Sequence, residues 1–88
     1  METPRNPAAD FPHLHHVKAI GQHPNLLAAV QKAIAPHAPD LPGTAFSCRP
    51  SNQGQYQAVT VSLEVDSHEH LLAIYTSVQE IDGVILCL

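Results

Sequence analysis

The chain has 88 residues, of which 44% are hydrophobic and 14% are charged, so one small packed domain is expected. Its formal net charge is −4, because only four lysines and arginines offset eight carboxylates. Proteins that bind nucleic acids or anionic membrane surfaces need a basic face, and this balance argues against both classes of partner.

The first segment, residues 1–12, contains three prolines and little apolar surface. It is predicted to be a flexible tail before a single domain over residues 13–88. The tail lacks the apolar stretch of a signal peptide, and no run in the chain approaches the roughly 20 apolar residues of a membrane span. Two cysteines, Cys48 and Cys87, are too few for a disulfide scaffold. The sequence therefore predicts a cytoplasmic protein with reduced thiols.

A first strand is predicted over His13–Ile20, and Gly21 ends it. Pro24 fits the first turn of the following helix, because its missing N–H costs nothing there. The buried stripe of this helix is predicted from its apolar residues at helical spacing, which are Leu26, Leu27, Val30, Ala33 and Ile34. Pro36 and Pro39 end the helix.

A second strand is predicted over Thr44–Arg49, and Pro50 favours a place at the edge of the sheet. The segment Ser51–Gln55 is predicted to be a hairpin turn. It leads into the clearest strand signal in the chain, because apolar residues there alternate strictly with small or polar ones. The apolar set is Val59, Val61, Leu63 and Val65.

A second helix is predicted after Asp66 or Ser67, either of which can cap it. Asp82 and Gly83 then turn the chain into a short apolar strand over Val84–Leu88. The element order is β-α-β-β-α-β. With right-handed crossovers, this order predicts an α+β plait: a four-stranded antiparallel sheet of order 4-1-3-2 with both helices on one face.

The other face of this predicted sheet has no helix to cover it. The residues predicted to lie there as a tentative interface are Tyr56, Ala58, Thr60, Ile85 and Cys87. An apolar strip on such a face often marks self-association, so a homodimer through this open face is one prediction. The alternative is a monomer in which side chains at the margin of the sheet cover the strip.

Seven histidines are the compositional oddity. His13 and His15 would share a strand face at i, i+2, a spacing that can bind zinc. His68 and His70 would lie about 200° apart around a helix, which suits one ion poorly. Neither pair has an evident third ligand, so the interpretation as exposed, metal-free histidines is favoured. No cofactor is expected.

No catalytic set is evident in the sequence. There is no GxSxG nucleophile motif, and Cys48 is predicted to face the core, where thiols are inert. The segment Gly21–Asn25 leads from a strand directly into a helix, so its backbone N–H groups could receive a carboxylate. A plain turn is the alternative for this segment.

Several residues together resemble the YbeD-like proteins, a family of short, uncharacterised bacterial proteins. The matching residues are Phe11-Pro12, Lys18 before Gly21, Pro50-Ser51 followed by Gly54 and Tyr56, Val59, Tyr75, and the closing Ile81-Asp82, Val84 and Leu88. The resemblance covers about residues 11–88 and is specific mainly through the order of its motifs. This chain has Asn52-Gln53 where Ser-Lys is frequent in the family, which removes a cation from the hairpin.

The resemblance implies a ferredoxin-like plait similar to ACT domains, which are regulatory modules that bind amino acids between paired copies. In ACT domains the ligand lies at the loop between strand one and helix one, near a glycine. Gly21 stands at the matching place, which implies tentative ligand contacts at Gln22, His23 and Asn25. The expected function is a non-enzymatic regulatory or interaction module that binds a small metabolite or a protein partner.

Three other functions are weaker predictions. A metal-binding module would use the histidines of strand one. An enzyme of acylphosphatase type would need an arginine at a phosphate-cradling loop, but Arg5 lies in the tail and Arg49 is distant from the first loop. RNA binding would need exposed aromatic residues on the central strands, and only Tyr56 is available.

Overall fold

The computed structural model describes residues 11–50 and 55–88. The expected flexible tail, apart from its last two residues, and the hairpin turn residues 51–54 lie outside the described residues. At the end of that tail, the Phe11–Pro12 peptide bond is cis, and the half-buried Phe11 ring packs against the core.

The helices and strands follow the predicted order. They are β1 (His13–Gly21), α1 (Leu26–Ile34), β2 (Phe46–Pro50), β3 (Gln57–Val65), α2 (His68–Gln79) and β4 (Val84–Cys87). A short 3₁₀ turn over Gly43–Ala45 precedes β2, so this strand begins two residues later than the sequence predicts.

The four strands form one antiparallel sheet of order β2-β3-β1-β4, which is the predicted order 4-1-3-2. The central pair is β1 with β3, and Val17 lies opposite Val61 in its register. On β1's other side, Ala19 lies opposite Cys87, and a bulge between Ile20 and Gly21 shifts the register. The βαββαβ plait is therefore confirmed.

The core lies between the sheet and the two helices, and it is entirely apolar among the described residues. Its fully buried members are Val17, Ala19, Leu26, Val30, Ile34, Val59, Val61, Leu63, Val65, Ile74 and Val78. The strand members alternate and the helix members recur every three to four residues, as burial of one sheet face and one stripe per helix requires. Each large aliphatic side chain buried in this way contributes about 1.5–3 kcal/mol to folding.

Side-chain caps decide where both helices begin. The Asn25 side chain accepts a hydrogen bond from the Ala28 N–H at 3.2 Å, and the Ser67 hydroxyl accepts one from the His70 N–H at 3.0 Å. Each cap satisfies a backbone donor that has no partner inside the helix. The sequence left Asp66 and Ser67 as alternatives for α2, and Ser67 is the cap.

Two predicted placements are wrong. Cys48 is exposed instead of facing the core, although its register with the buried Val59 puts it on the helix side of the sheet. Cys87 was assigned to the open face, but its register with the buried Ala19 puts it on the helix side, where it packs against the core. The bulge and the uniformly apolar sequence of β4 explain the error, because alternation carries no signal in such a strand. In the part of the chain that is described, no helix is long and apolar enough to cross a membrane.

Candidate functional site

The face of the sheet opposite the helices is open, and its side chains follow from the strand registers. Across one row, Arg49 lies opposite Ala58, Ala58 opposite Ile20, and Ile20 opposite Leu86. In the next row, Ser47 and Lys18 flank Thr60, and Leu88 exchanges two backbone hydrogen bonds with Lys18. Further along β1 and β3, the face carries His16, Ser62, Leu14 and Glu64.

Of the predicted interface residues, Ala58 and Thr60 lie on this open face, half-buried. Tyr56 is exposed and lies just before β3. Ile85 is strongly exposed at the irregular start of β4. Sequence reasoning missed Leu86 and Leu88, which are exposed on the open face and adjoin the half-buried Ile20.

The outer edge of β4 also presents backbone hydrogen-bonding groups that do not pair with β1. Lys18 exchanges N–H to O bonds with Leu88 at 3.0 and 2.8 Å, so this pair is the bonded type. Bonded and non-bonded pairs alternate in an antiparallel ladder, so the pair of Ala19 and Cys87 is the non-bonded type. The N–H and C=O of Cys87 therefore point away from β1, toward the open edge.

Gly21 is required by a close backbone approach. A Cβ built on Gly21 would lie 2.7 Å from the Cα of Val84 and in contact with the carbonyl oxygen of Gly83. The Gln22 N–H donates to the same Gly83 oxygen at 2.9 Å. The glycine thus fits the attachment of β4 to β1.

Two of the other predicted ligand residues, His23 and Asn25, and the unpredicted Gln57 accept hydrogen bonds from backbone N–H groups at the start of α1. The His23 Nδ1 accepts from the Asn25 N–H at 2.9 Å, and the Gln57 Oε1 accepts from the Leu26 N–H at 3.2 Å. Together with the Asn25 cap, these contacts occupy donors that an anionic ligand would use. Sequence reasoning missed Gln57, because only the β1–β3 register brings it beneath this turn.

His13 and His15 share the helix-side face of β1, as predicted, and contact each other directly. The His13 Nε2 lies 3.3 Å from the His15 Nδ1, and the His15 Nε2 hydrogen-bonds the Tyr75 hydroxyl at 3.0 Å. Burial lowers the pKa of His15, and the nearby His13 and His16 lower it further. Burial raises the pKa of Tyr75, with an added effect of Cys87.

Two further histidines pair with serine hydroxyls. The His16 Nδ1 lies 2.8 Å from the Ser62 Oγ on the open face, and the His37 Nε2, in the turn after α1, lies 2.8 Å from the Ser77 Oγ of α2. A hydroxyl beside an imidazole is one part of an activated nucleophile. Ser77, however, lies inside α2, where backbone N–H groups bond along the helix and none is left to stabilise an oxyanion.

Metal ligands do not accumulate around these histidines. Across residues 11–50 and 55–88, no group of three or more histidine, cysteine, aspartate or glutamate side chains is placed to hold an ion. In the pair on β1, the His13 Nε2 and the His15 Nδ1 contact each other, and the His15 Nε2 bonds the Tyr75 hydroxyl, so both ring nitrogens of His15 already have partners.

A family model described as "Protein of unknown function (DUF493)" matches residues 6–88, nearly the whole chain. The chain belongs to this family. Members bearing the name UPF0250 protein include one from Shewanella baltica, 29% identical over 85 residues that cover 96% of this chain and 94% of the relative. One from Shewanella oneidensis is 32% identical over 77 residues, covering 85% and 84%. The YbeD-like assignment is thereby confirmed.

Solved structures support the same fold. A Helicobacter pylori protein, solved in solution, superposes with a TM-score of 0.70 at 17% identity, covering 89% of this chain and 82% of that one. An uncharacterised Thermotoga maritima protein gives a TM-score of 0.63 at 10% identity, covering 86% and 94%. At these identities the likeness concerns the fold alone.

The DUF493 description carries no activity, so the function of this member must be argued from its own surfaces. Two surfaces stand out by their geometry. One is the exposed apolar edge at β4 with the adjoining leucines, and the other is the polar half of the open face near β2. The Gly21–Asn25 turn lies beside the first of these, because Gly21 pairs with Val84.

Proposed function

We propose that this DUF493 member is a non-enzymatic interaction module that works as a homodimer, joined at the β4 edge and the adjoining apolar part of the open face. The observation that carries the proposal is the cluster of large exposed side chains there. Ile85 is 66% exposed, Leu86 45% and Leu88 58%.

The chemistry of this edge suits a second copy of the chain. The strand sequence Val84–Cys87 contains no charge and no proline, the usual devices that keep an edge strand from pairing. The outward N–H and C=O of Cys87 can extend the ladder, as in other strand additions. In a two-fold antiparallel pairing, Leu86 and Leu88 of one copy would approach the same residues of its partner, which is the self-complementary contact that a symmetric dimer needs.

A non-enzymatic role is supported by the contents of the described residues. Ser77 lies inside α2 without oxyanion donors beside its histidine, and no arginine lies in the described Gly21–Asn25 turn that an acylphosphatase type would use to hold phosphate. Across the described ranges, no third ligand lies with the histidines of β1 to hold an ion, so a metal-binding module is the weaker alternative.

The regulatory version of the proposal adds a small metabolite at Gly21, Gln22, His23 and Asn25. This turn adjoins the start of β4, so a ligand there would lie close to the dimer interface, as in ACT domains. The ligand would have to replace the hydrogen bonds that His23 and Gln57 now accept from the N–H groups of Asn25 and Leu26. Metabolite binding should therefore break the hydrogen bond between Gln57 and the Leu26 N–H. A thermal-shift screen of amino acids, with Gln57→Leu as the comparison variant, measures whether any of them binds.

The dimer is tested with Ile85→Lys, which places a charge on the apolar edge. By sedimentation equilibrium at about 100 µM, the unmodified chain should be mainly dimeric, which requires a Kd of about 10 µM or below. The variant should raise the Kd at least about 100-fold, a loss of about 3 kcal/mol, because a charge would be placed in the apolar contact.

Leu72→Lys is the matched control, because it makes the same chemical change at an apolar side chain of α2 that is 52% exposed. It should leave the Kd unchanged. A monomeric unmodified chain at this concentration contradicts the proposal, and so does an equal loss of dimer in the Leu72 variant.

A further inference from the structure

The half of the open face near β2 gathers two of the chain's four cationic side chains. Lys18 comes from β1 and Arg49 from β2, and β3 lies between them. We propose that these two cations and the hydroxyls of Ser47 and Thr60 bind the phosphate group of a small phosphomonoester. This site lies outside the proposed dimer edge and does not depend on it.

The strand registers build the site. Thr60 lies opposite Lys18 on one side and opposite Ser47 on the other, so two hydroxyls and an ammonium group stand in one row across three strands. Arg49 stands in the neighbouring row, opposite Ala58. Neighbouring strands are about 4.8 Å apart, so Lys18 and Ser47 are separated by about 10 Å with Thr60 between them. Long cationic side chains from both flanks can span this distance.

The shape of the surface agrees with this arrangement. A depression of about 360 Å³ is lined by Lys18, Ser47, Cys48, Arg49, Ala58 and Thr60. Its small residues, Ala58, Ser47 and Thr60, leave the floor low, while the long side chains of Lys18 and Arg49 form the flanks. The volume falls at the low end of the range for small-molecule sites, about 300–1,000 Å³, and therefore suits a phosphate with a small organic group.

The local charge differs in sign from the charge of the whole chain. The acidic residue of β3 on this face is Glu64, four residues beyond Thr60, which is about 13 Å along the strand. Lys18 and Arg49 are both exposed, and among the described residues no ion pair joins either of them to a carboxylate. An anion can therefore approach without displacing an internal partner.

The donor set matches phosphate better than carboxylate. A phosphomonoester carries close to two negative charges at neutral pH and three terminal oxygens, whereas a carboxylate carries one charge and two oxygens. Two cations match the charge of a phosphomonoester and exceed the charge of a carboxylate. The planar guanidinium of Arg49 can donate two parallel hydrogen bonds, and the hydroxyls of Ser47 and Thr60 can reach the remaining oxygens. Two cations are too few for a nucleic-acid backbone, in keeping with the net charge of −4.

The site is tested by titrating the ¹⁵N-labelled chain with phenyl phosphate in phosphate-free, low-salt buffer and following amide shifts by NMR. Saturable shifts are expected at Lys18, Ser47, Arg49 and Thr60, with inorganic phosphate shifting the same amides. Acetate at equal ionic strength should bind at least about 10-fold more weakly, because it carries half the charge.

Arg49→Gln and Lys18→Gln should each weaken phenyl phosphate binding about 10-fold, and Thr60→Val about five-fold, as loss of charged and neutral hydrogen bonds predicts. Lys32→Gln is the matched control, since this exposed cation lies on α1, on the opposite side of the sheet. It should bind like the unmodified chain. The absence of saturable shifts up to about 10 mM ligand, equal affinity for acetate, or an equal loss in the Lys32 variant would overturn the proposal.

Because every changed side chain is exposed or half-buried, the fold is checked in the same spectra through the unshifted core amides. The outcome is independent of the oligomeric state. The Ile85→Lys variant, which tests the dimer, should bind phenyl phosphate as the unmodified chain does.

Discussion

The two edge strands of the sheet differ in what they present to solvent. β2 carries Ser47, Arg49 and Pro50, all exposed. β4 carries Ile85 and Leu86, both exposed, and Leu88 follows directly after it. Charge and proline at an edge discourage pairing with other strands, whereas an uncharged apolar edge invites it. The same sheet thus has one protected edge and one that is suited to a partner.

The backbones of the two edges differ much less than their side chains. The bonded pair of Lys18 and Leu88 fixes the alternation across the sheet, so Phe46, Cys48 and Pro50 direct their backbone groups outward from β2. The Phe46 N–H already bonds the Gly43 oxygen, and proline has no N–H. Cys48 is left as the one outward donor of β2, and Cys87 supplies an outward donor on β4. Side chains therefore decide which edge is available.

The largest expected effect concerns how each edge strand is attached. Gly21→Ala places a methyl group 2.7 Å from the Val84 Cα, among backbone atoms that cannot move aside, so we expect a loss of about 2–3 kcal/mol in the free energy of unfolding. In Gly43→Ala, before β2, the added methyl group meets nothing within 4 Å. This substitution should change the free energy of unfolding by less than about 0.5 kcal/mol. Urea denaturation measures both. Equal effects would mean that β4 is held no more tightly than β2.

An intermediate effect concerns amide hydrogen exchange at the two cysteines. If β4 pairs with a second copy, the outward Cys87 N–H should exchange at least about 10-fold more slowly in concentrated than in dilute protein, because it is bonded only in the dimer. The Cys48 N–H on β2 should exchange at the same rate in both. Amide exchange is followed by NMR at the two concentrations. Slowing at Cys48 instead of Cys87 would place the interface at β2 and contradict the proposed β4 interface.

The smallest expected effect depends on pH. β4 ends opposite Lys18, so α2 rather than a strand covers the start of β1, where His15 meets Tyr75. Because the pKa of His15 is lowered in the folded state, the unfolded chain takes up the proton first. The contribution of His15 to stability is therefore full above the ordinary histidine pKa of 6.5 and decreases as pH falls below it.

His15→Gln should make the drop in Tm between about pH 7.5 and pH 5.5 smaller than in the unmodified chain, by removing one proton-linked group. Differential scanning calorimetry at the two pH values measures this. An unchanged drop would show that other groups control the acid sensitivity.

The fold was predictable because its signals are local. The alternation of Val59, Val61, Leu63 and Val65 and the helical spacing of Leu26, Val30 and Ile34 each identify a buried face without knowledge of the partner element. The element order then leaves few topologies. The face of Cys87 was not predictable, because β4 is apolar throughout and a bulge sets its register.

The surfaces were harder to predict because they depend on registers between distant segments. Lys18 and Arg49 look scattered in the sequence, and only the pairing of both strands with β3 places them on one side of the sheet. The contact of Gln57 with the first turn of α1 has the same origin. Gly21 stands out in the sequence as a possible ligand contact, and the structure gives it a backbone role in the close approach of β1 to Gly83 and Val84.

The pairing of β1 with β3 also constrains how the chain folds. The two central strands are joined through α1 and β2, so their contact closes a long loop before either helix has a complete surface to pack on. Leu26, Val30 and Ile34 belong to the same buried cluster as the inward side chains of these two strands. Folding should therefore be slower than for a helical bundle of equal length, with β1–β3 contacts formed in the transition state and the β4 edge added late.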